Sequence, residues 1–177
     1  EFRGVSDPRE VETRMARAHS VVDRLEAFKI PTVAVIHGFC LGGGLEVALA
    51  CNTRIAIDNA RFGFPEVMLG LHPGLGGTAR FTHLVSPLEA MTMMLTGKTI
   101  DARKAKSLGL VDAVTQERHV RNAVKDAIFG RLRPHKQGLL AKAMNFGPVR
   151  GLLASRMRGE AAKTAPKDHY PAPYALV

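Results

Sequence analysis

The chain has 177 residues, 46% hydrophobic and 23% charged, a composition that fits one ordinary globular domain and excludes a disordered tail. No apolar run approaches the ~18 residues of a membrane span, and no charged-then-apolar signal opens the chain, which points to a soluble cytoplasmic protein. The net charge of +9 sits in the last third: residues 1–117 hold 13 Lys+Arg against 13 Asp+Glu, and residues 118–177 hold 12 against 3. That surplus fits a solvated helical face or a surface for an anionic partner. With no aromatic interleaving and no nucleic-acid motif, nucleic acid is not an expected partner.

The first predicted element is a helix in "SDPREVETRMARAHSVVDRLEAF", with Asp7 as N-cap, Pro8 in the first turn and Glu10 three residues after the cap. Val11, Met15, Ala18, Val22 and Leu25 form its apolar stripe. Residues 32–37 are apolar and β-branched, the pattern of a strand buried on both faces. A glycine turn and a short apolar helix follow, and then "TRIAI", residues 53–57, as a second strand. Strand, glycine turn, helix and strand make an α/β unit. A glycine-rich connection leads to "SPLEAMTMMLTG", a helix capped by Ser86 and Glu89 and ended by Gly97. Asp101 caps a short helix that stops at Gly109, and "LVDAV" returns to strand. From Glu117 the pattern is helical, broken at Gly130, Pro134, Gly147 and Pro148, and there is no internal repeat. The expected division is therefore a core over 1–117 and a basic helical region over 118–177.

The glycine cluster in "IPTVAVIHGFCLGGGLEVALAC" admits three chemistries. Dinucleotide binding fails, because G-x-G-x-x-G starting at Gly38 needs glycine where Cys40 stands, and neither glycine cluster ends in the G-K-[ST] of a P-loop. "GFCLG" has the layout of a nucleophile elbow with cysteine in place of serine, similar to dienelactone hydrolases of the α/β-hydrolase fold. That reading needs a downstream acid and histidine. Asp101, Asp112, His119 and His135 are present without a convincing strand-end context, and a small buried filler explains Cys40 as well. Cys40 and Cys51 lack metal-ligand spacing, so no disulfide framework and no metal site is expected. The third reading starts from Glu46, a carboxylate inside an apolar helix, and Glu66, isolated among apolar residues in "FGFPEVMLG". Two such acids can share a water, each raising the other's pKa. A surface loop for Glu66 and a helix-dipole role for Glu46 fit composition equally well.

The segment "IPTVAVIHGFCLGGGLEVALACNTRIAIDNARFGFPEVMLGLHPGLGGTARF", continued by "LTGKTIDARKAKSLGLVDAV", resembles the crotonase, or enoyl-CoA hydratase/isomerase, superfamily over residues 30–115. The tail, through "YPAP", looks like the hydratase part of the multifunctional α subunits of fatty-acid β-oxidation complexes. The fold implied is α/β, a crotonase-like spiral ββα core, incomplete at its N-terminus, with a helical C-terminal part. The activity implied is hydration of the 2,3 double bond of 2-enoyl-CoA, with enoyl-CoA isomerisation as a related possibility.

By this resemblance Glu46 and Glu66 are the catalytic pair, Glu46 activating water for Cβ and Glu66 supplying the proton to Cα. The Gly43 N–H is an oxyanion-hole donor, and Phe39, Leu41, Gly42, Pro65 and Gly74 bind substrate. Glycine at 42, 43 and 44 lets a thioester approach the backbone. "PGLGGT", residues 73–78, is a turn into a helix that shapes the pocket beside Glu66. No cofactor is needed beyond the coenzyme A of the substrate. The partners implied are an acyl-CoA thioester and either further copies of the chain or subunits of a β-oxidation complex. The family's second oxyanion donor and part of its CoA surface come from an earlier segment resembling A-G-A-D, whereas this chain starts at "EFRGVSDPRE". The expectation is a half-built oxyanion hole and an inactive fragment, and a structural or assembly module is the non-enzyme alternative.

Overall fold

A computed structural model describes residues 7–132 together with Gly151, Ala154, Ser155 and Gly159. The breaks expected at Pro134, Gly147 and Pro148, the tail match and most of the basic 118–177 region lie outside the described residues.

Helix α1 (Pro8–Glu26) starts where the Asp7 side chain accepts a hydrogen bond from the Arg9 N–H. Glu10 does not complete a capping box and pairs with Arg14 one turn along. The apolar stripe turns inward from Met15 onward, with Val22 4% exposed. Val11, expected in that stripe, is 44% exposed, because no described element covers the first turn.

Two three-stranded sheets follow, and the chain alternates between them. Strands β1 (Val33–Ile36), β3 (Thr53–Ile57) and β6 (Ala113–Thr115) form one sheet in the order β1-β3-β6, with both pairings parallel. Strands β2 (Phe39–Leu41), β4 (Arg61–Gly63) and β5 (Ile100–Asp101) form the other, with β2 parallel and β5 antiparallel to β4. Parallel neighbours need a crossover. Here it consists of a strand in the second sheet and then a helical segment: α2 (Gly43–Leu49) after β2, and a 3₁₀ turn (Pro65–Leu69) after β4. The result is an α/β spiral of ββα turns. The repetition lies in backbone geometry and not in residue identity, so the sequence reads as unrepeated.

The strand at β1 is not buried on both faces as its composition suggested. It is an edge of its sheet among the described residues; Ile36 faces the core, while Val35 is 39% exposed. The core lies where α2, β4, α3 (Gly77–Leu84) and α4 (Pro87–Thr96) meet. Leu45, Phe62, Phe64, Phe81 and Met94 are buried there, with the Phe64 and Phe81 rings 5.1 Å apart at 59°. Ser86 caps α4, and Asp101 caps α5 (Ala102–Leu108). Gly97 and Gly109 end these helices in the left-handed conformation, as glycine does best. Helix α6 (Val120–Ile128) packs on β1 and β3. No helix among the described residues is long and apolar enough to cross a membrane.

A buried cation fastens the first sheet. Arg54, on β3, is 4% exposed. Its guanidinium donates to the Leu110 carbonyl at 2.9 Å, the Cys51 carbonyl at 2.7 Å and Asp112 at 3.1 Å. The Arg54 and Asp112 backbones also bond across to each other's residue, through Arg54 N to the Asp112 carboxylate and Asp112 N to the Arg54 carbonyl, both at 2.8 Å. Removing one member of a buried ion pair strands the other. Arg54→Met should therefore lower the unfolding free energy by ~3–5 kcal/mol in denaturant titrations. A loss below ~1 kcal/mol, the scale of an exposed pair, would show that this network does not hold β3 to the β6 approach.

Candidate active site

Glu46 lies in the first turn of α2, between core residues Leu45 and Leu49, and is 2% exposed. A carboxylate so placed needs hydrogen bonds. It has them: Oε1 accepts from the Leu75 N–H at 2.7 Å and from the Gly77 N–H at 2.8 Å. These donors belong to the 73–78 segment, which does turn into a helix, α3. The sequence placed that segment beside Glu66, but its N–H groups hold Glu46. The approach is possible only at glycine, because a Cβ on Gly77 would stand 2.7 Å from Glu46 Oε1.

Glu66 lies in the 3₁₀ turn after β4. Because β2 and β4 are parallel neighbours, the helical segments that follow them begin side by side, which brings the two glutamates together. Gly42, with φ +53°, caps α2, and a Cβ there would lie 2.9 Å from Glu66 Oε1. Glu66 Oε2 is buried with no hydrogen-bond partner among the described residues. Burial is the strongest influence on this carboxyl and raises its pKa. Its own backbone N–H acts against that, the Glu46 charge adds to it, and His72 opposes; the net direction is upward. The pair is thus unequal. Two N–H donors hold one oxygen of Glu46, while burial raises the pKa of Glu66.

The remaining residues singled out in the sequence lie on β2, at the start of α2, in the 3₁₀ turn and in the segment before α3. Gly43 is the first residue of α2, exposed, so its N–H has no intrahelical acceptor and points its dipole outward. A side chain at Gly43 would meet only Leu75 Cδ1 at 3.9 Å, and one at Gly44 nothing within 4 Å. Protein neighbours therefore demand glycine at 42 and not at 43 or 44. Phe39 is 78% exposed on β2, Leu41 ends that strand half-buried, and Pro65 opens the turn that carries Glu66. Gly74 sits against α1, where an added Cβ would lie 3.3 Å from Met15 Cε.

Cys40 does not occupy a nucleophile elbow. It is the middle residue of β2, paired with Phe62 of β4, and it packs on the core. Burial pushes its thiol up to about 11, away from the thiolate a nucleophile needs. Sequence reasoning did not identify Leu75 and Gly77 as the groups that hold Glu46. The one available signal was the Gly76–Gly77 pair at the start of a helix.

The enoyl-CoA hydratase/isomerase family matches residues 7–131. The fatty acid oxidation complex subunit alpha of Shewanella sp. (strain MR-4) is 43% identical over 169 residues, covering 91% of this chain and 23% of the relative. The chain thus spans about a quarter of the length of the curated relatives it matches. A solved enoyl-CoA hydratase subunit from Geobacillus kaustophilus HTA426 superposes with a TM-score of 0.64 at 30% identity, covering 99% of this chain and 63% of that one. The enoyl-CoA hydratase of Thermoplasma volcanium GSS1 gives 0.66 at 28% identity, covering 99% and 65%. The spiral ββα architecture is therefore the crotonase fold, and the chain belongs to the enoyl-CoA hydratase/isomerase family.

Proposed function

We propose that this chain carries the site of an enoyl-CoA hydratase, adding water across the 2,3 double bond of 2-enoyl-CoA thioesters in fatty-acid β-oxidation. The observation that carries the reading is the unequal environment of the two carboxyl groups, one held by two N–H donors and the other with one oxygen buried and without a hydrogen-bond partner among the described residues. Hydration needs both states at once, a carboxylate to take a proton from water and a carboxylic acid to give one to carbon. Moving a double bond shuttles a single proton and makes less use of such a pair, so hydratase is favoured over isomerase.

In the proposed reaction the water oxygen attacks Cβ while Glu46 takes the water proton. The double-bond electrons move through Cα to the thioester oxygen, and the enolate is stabilised by the Gly43 N–H and a second donor from outside the described residues. The enolate then collapses, Cα takes a proton from Glu66, and the net addition is H and OH. Phe39, Leu41, Gly42, Pro65 and Gly74 border the substrate, and no cofactor takes part beyond the coenzyme A of the thioester. The protein would act in the cytoplasm, with further copies of itself or with other β-oxidation subunits.

Glu46→Gln and Glu66→Gln, made in the full natural polypeptide, should each retain the fold and slow hydration of a short 2-enoyl-CoA by ~10²-fold or more. Loss of enoyl-thioester absorbance reports the rate, and parental turnover in either variant removes that glutamate from the mechanism.

The raised Glu66 pKa sets the sign of one pH effect. Glu66 must be protonated to donate to Cα, so kcat/KM should fall as pH rises through its titration, and this limb should lie above the ordinary glutamate range of ~4.3. A kcat/KM that keeps increasing on the alkaline side would contradict the acid role.

Cys40→Ala should leave hydration within ~2-fold of the parent, since a packed thiol contributes no covalent step. Thioester cleavage that disappears in this variant would instead establish a cysteine hydrolase.

A further inference from the structure

Arg80 lies in α3, one turn beyond the two N–H groups that hold Glu46. Its Nη1 donates to the Leu75 carbonyl at 2.8 Å. On its other side, Nε and Nη2 donate to Glu26 at 3.0 and 2.7 Å, and Nη2 donates to Asp23 at 2.7 Å, both acids on α1. The Arg80 side chain is 13% exposed, whereas those of Asp23 and Glu26 are 63% and 57% exposed.

The bond to Leu75 has a consequence for Glu46. The Leu75 N–H belongs to the peptide between residues 74 and 75, and the Gly77 N–H to the peptide between 76 and 77. The peptide between them carries the Leu75 carbonyl. Two alternate peptides therefore aim their N–H groups inward at Glu46 Oε1, and the one in between aims its carbonyl outward at Arg80. Holding the middle peptide restrains the rotations that would turn its two neighbours away from the carboxylate. The local sequence makes room for this contact: a Cβ on Gly76, whose φ is +88°, would stand 2.2 Å from Arg80 Nη1. Of the adjacent glycines, 76 admits the guanidinium and 77 admits the carboxylate.

We propose that Arg80 is a positioning residue for the reaction: by holding the Leu75 carbonyl it fixes the 74–77 turn, which in turn orients the Glu46 carboxylate, with Asp23 and Glu26 of α1 anchoring Arg80 from outside. The inference rests on the base role of Glu46 proposed above. Arg80 itself touches no reacting atom. A small misplacement of a catalytic group costs rate more than binding, so the effect belongs in kcat.

The test is a kinetic cycle in the full natural polypeptide. Arg80→Ala should lower kcat by ~10- to 10²-fold with KM within ~2-fold of the parent. Arg80→Lys should recover part of the loss, since an ammonium donates to the carbonyl without reproducing the fork. The double variant Asp23→Asn/Glu26→Gln keeps the bond to Leu75 and should lower kcat far less. In a Glu46→Gln background, Arg80→Ala should change kcat by less than ~2-fold, because the two substitutions remove the same function. Circular dichroism and thermal unfolding establish that each variant is folded; where Arg80→Ala is not, Arg80→Lys carries the same cycle. A parental kcat in the folded Arg80 variant, or an equal loss with and without Glu46, would overturn the inference. Parental turnover in Glu46→Gln alone would instead overturn the functional reading, and the two failures are thus told apart.

Discussion

The candidate site depends on one carboxylate oxygen accepting two backbone N–H groups. Glu46 is placed in the first turn of a helix whose neighbouring side chains form the core, and a carboxylate so enclosed needs hydrogen bonds from the protein. The Leu75 and Gly77 N–H groups supply them. That requirement accounts for the absence of a side chain at Gly77, for the start of α3 at that residue, and for the close packing of α3 on α2. It also holds the carboxylate in one orientation.

The second carboxyl group is brought in by sheet topology. Successive turns of the spiral lay β4 alongside β2, so the 3₁₀ turn after β4 starts beside the helix after β2. The same arrangement gives the glutamates opposite surroundings. Glu46 is met by the turn 73–77, whereas Glu66 is half-buried near the Gly42 backbone with one oxygen unpartnered among the described residues. Unequal surroundings suit the two groups to the different roles that the proposed reaction assigns them.

Glu46 and Arg54 are the buried charged residues among those described, and they differ in how they are used. Arg54 spends its donors on the Leu110 and Cys51 carbonyls and on Asp112, and Lys106 further engages the Asp112 carbonyl, so the group is consumed in joining β3 to the approach of β6. Glu46 is held through one oxygen by groups from a loop that Arg80 and α1 hold in turn. The first is a fastening between strands, and the second is a carboxylate near the start of α2 held by a turn from elsewhere in the chain.

Local chemistry was legible in the sequence wherever neighbours along the chain decide the outcome. The caps at Asp7, Ser86 and Asp101, the stops at Gly97 and Gly109, and the strands in 32–37 and 53–57 follow from residues within a few positions of one another. The isolation of Glu46 and Glu66 in apolar stretches marked them as residues that need a reason, and the glycine-rich pattern around them carried the family resemblance. The short strands β2 and β4 were not legible, because three residues give too little periodicity. Val35 was read as buried because β-branched composition cannot say whether a strand is central or at an edge. Above all, the partners of Glu46 stand 29 and 31 residues away, and Arg80 bonds to acids 54 and 57 residues back. Only the closure of the spiral brings these groups within hydrogen-bond distance. The sequence therefore singled out the two isolated glutamates and the glycine-rich turns, and the tertiary structure decided which carboxylate oxygen is held and by which donors.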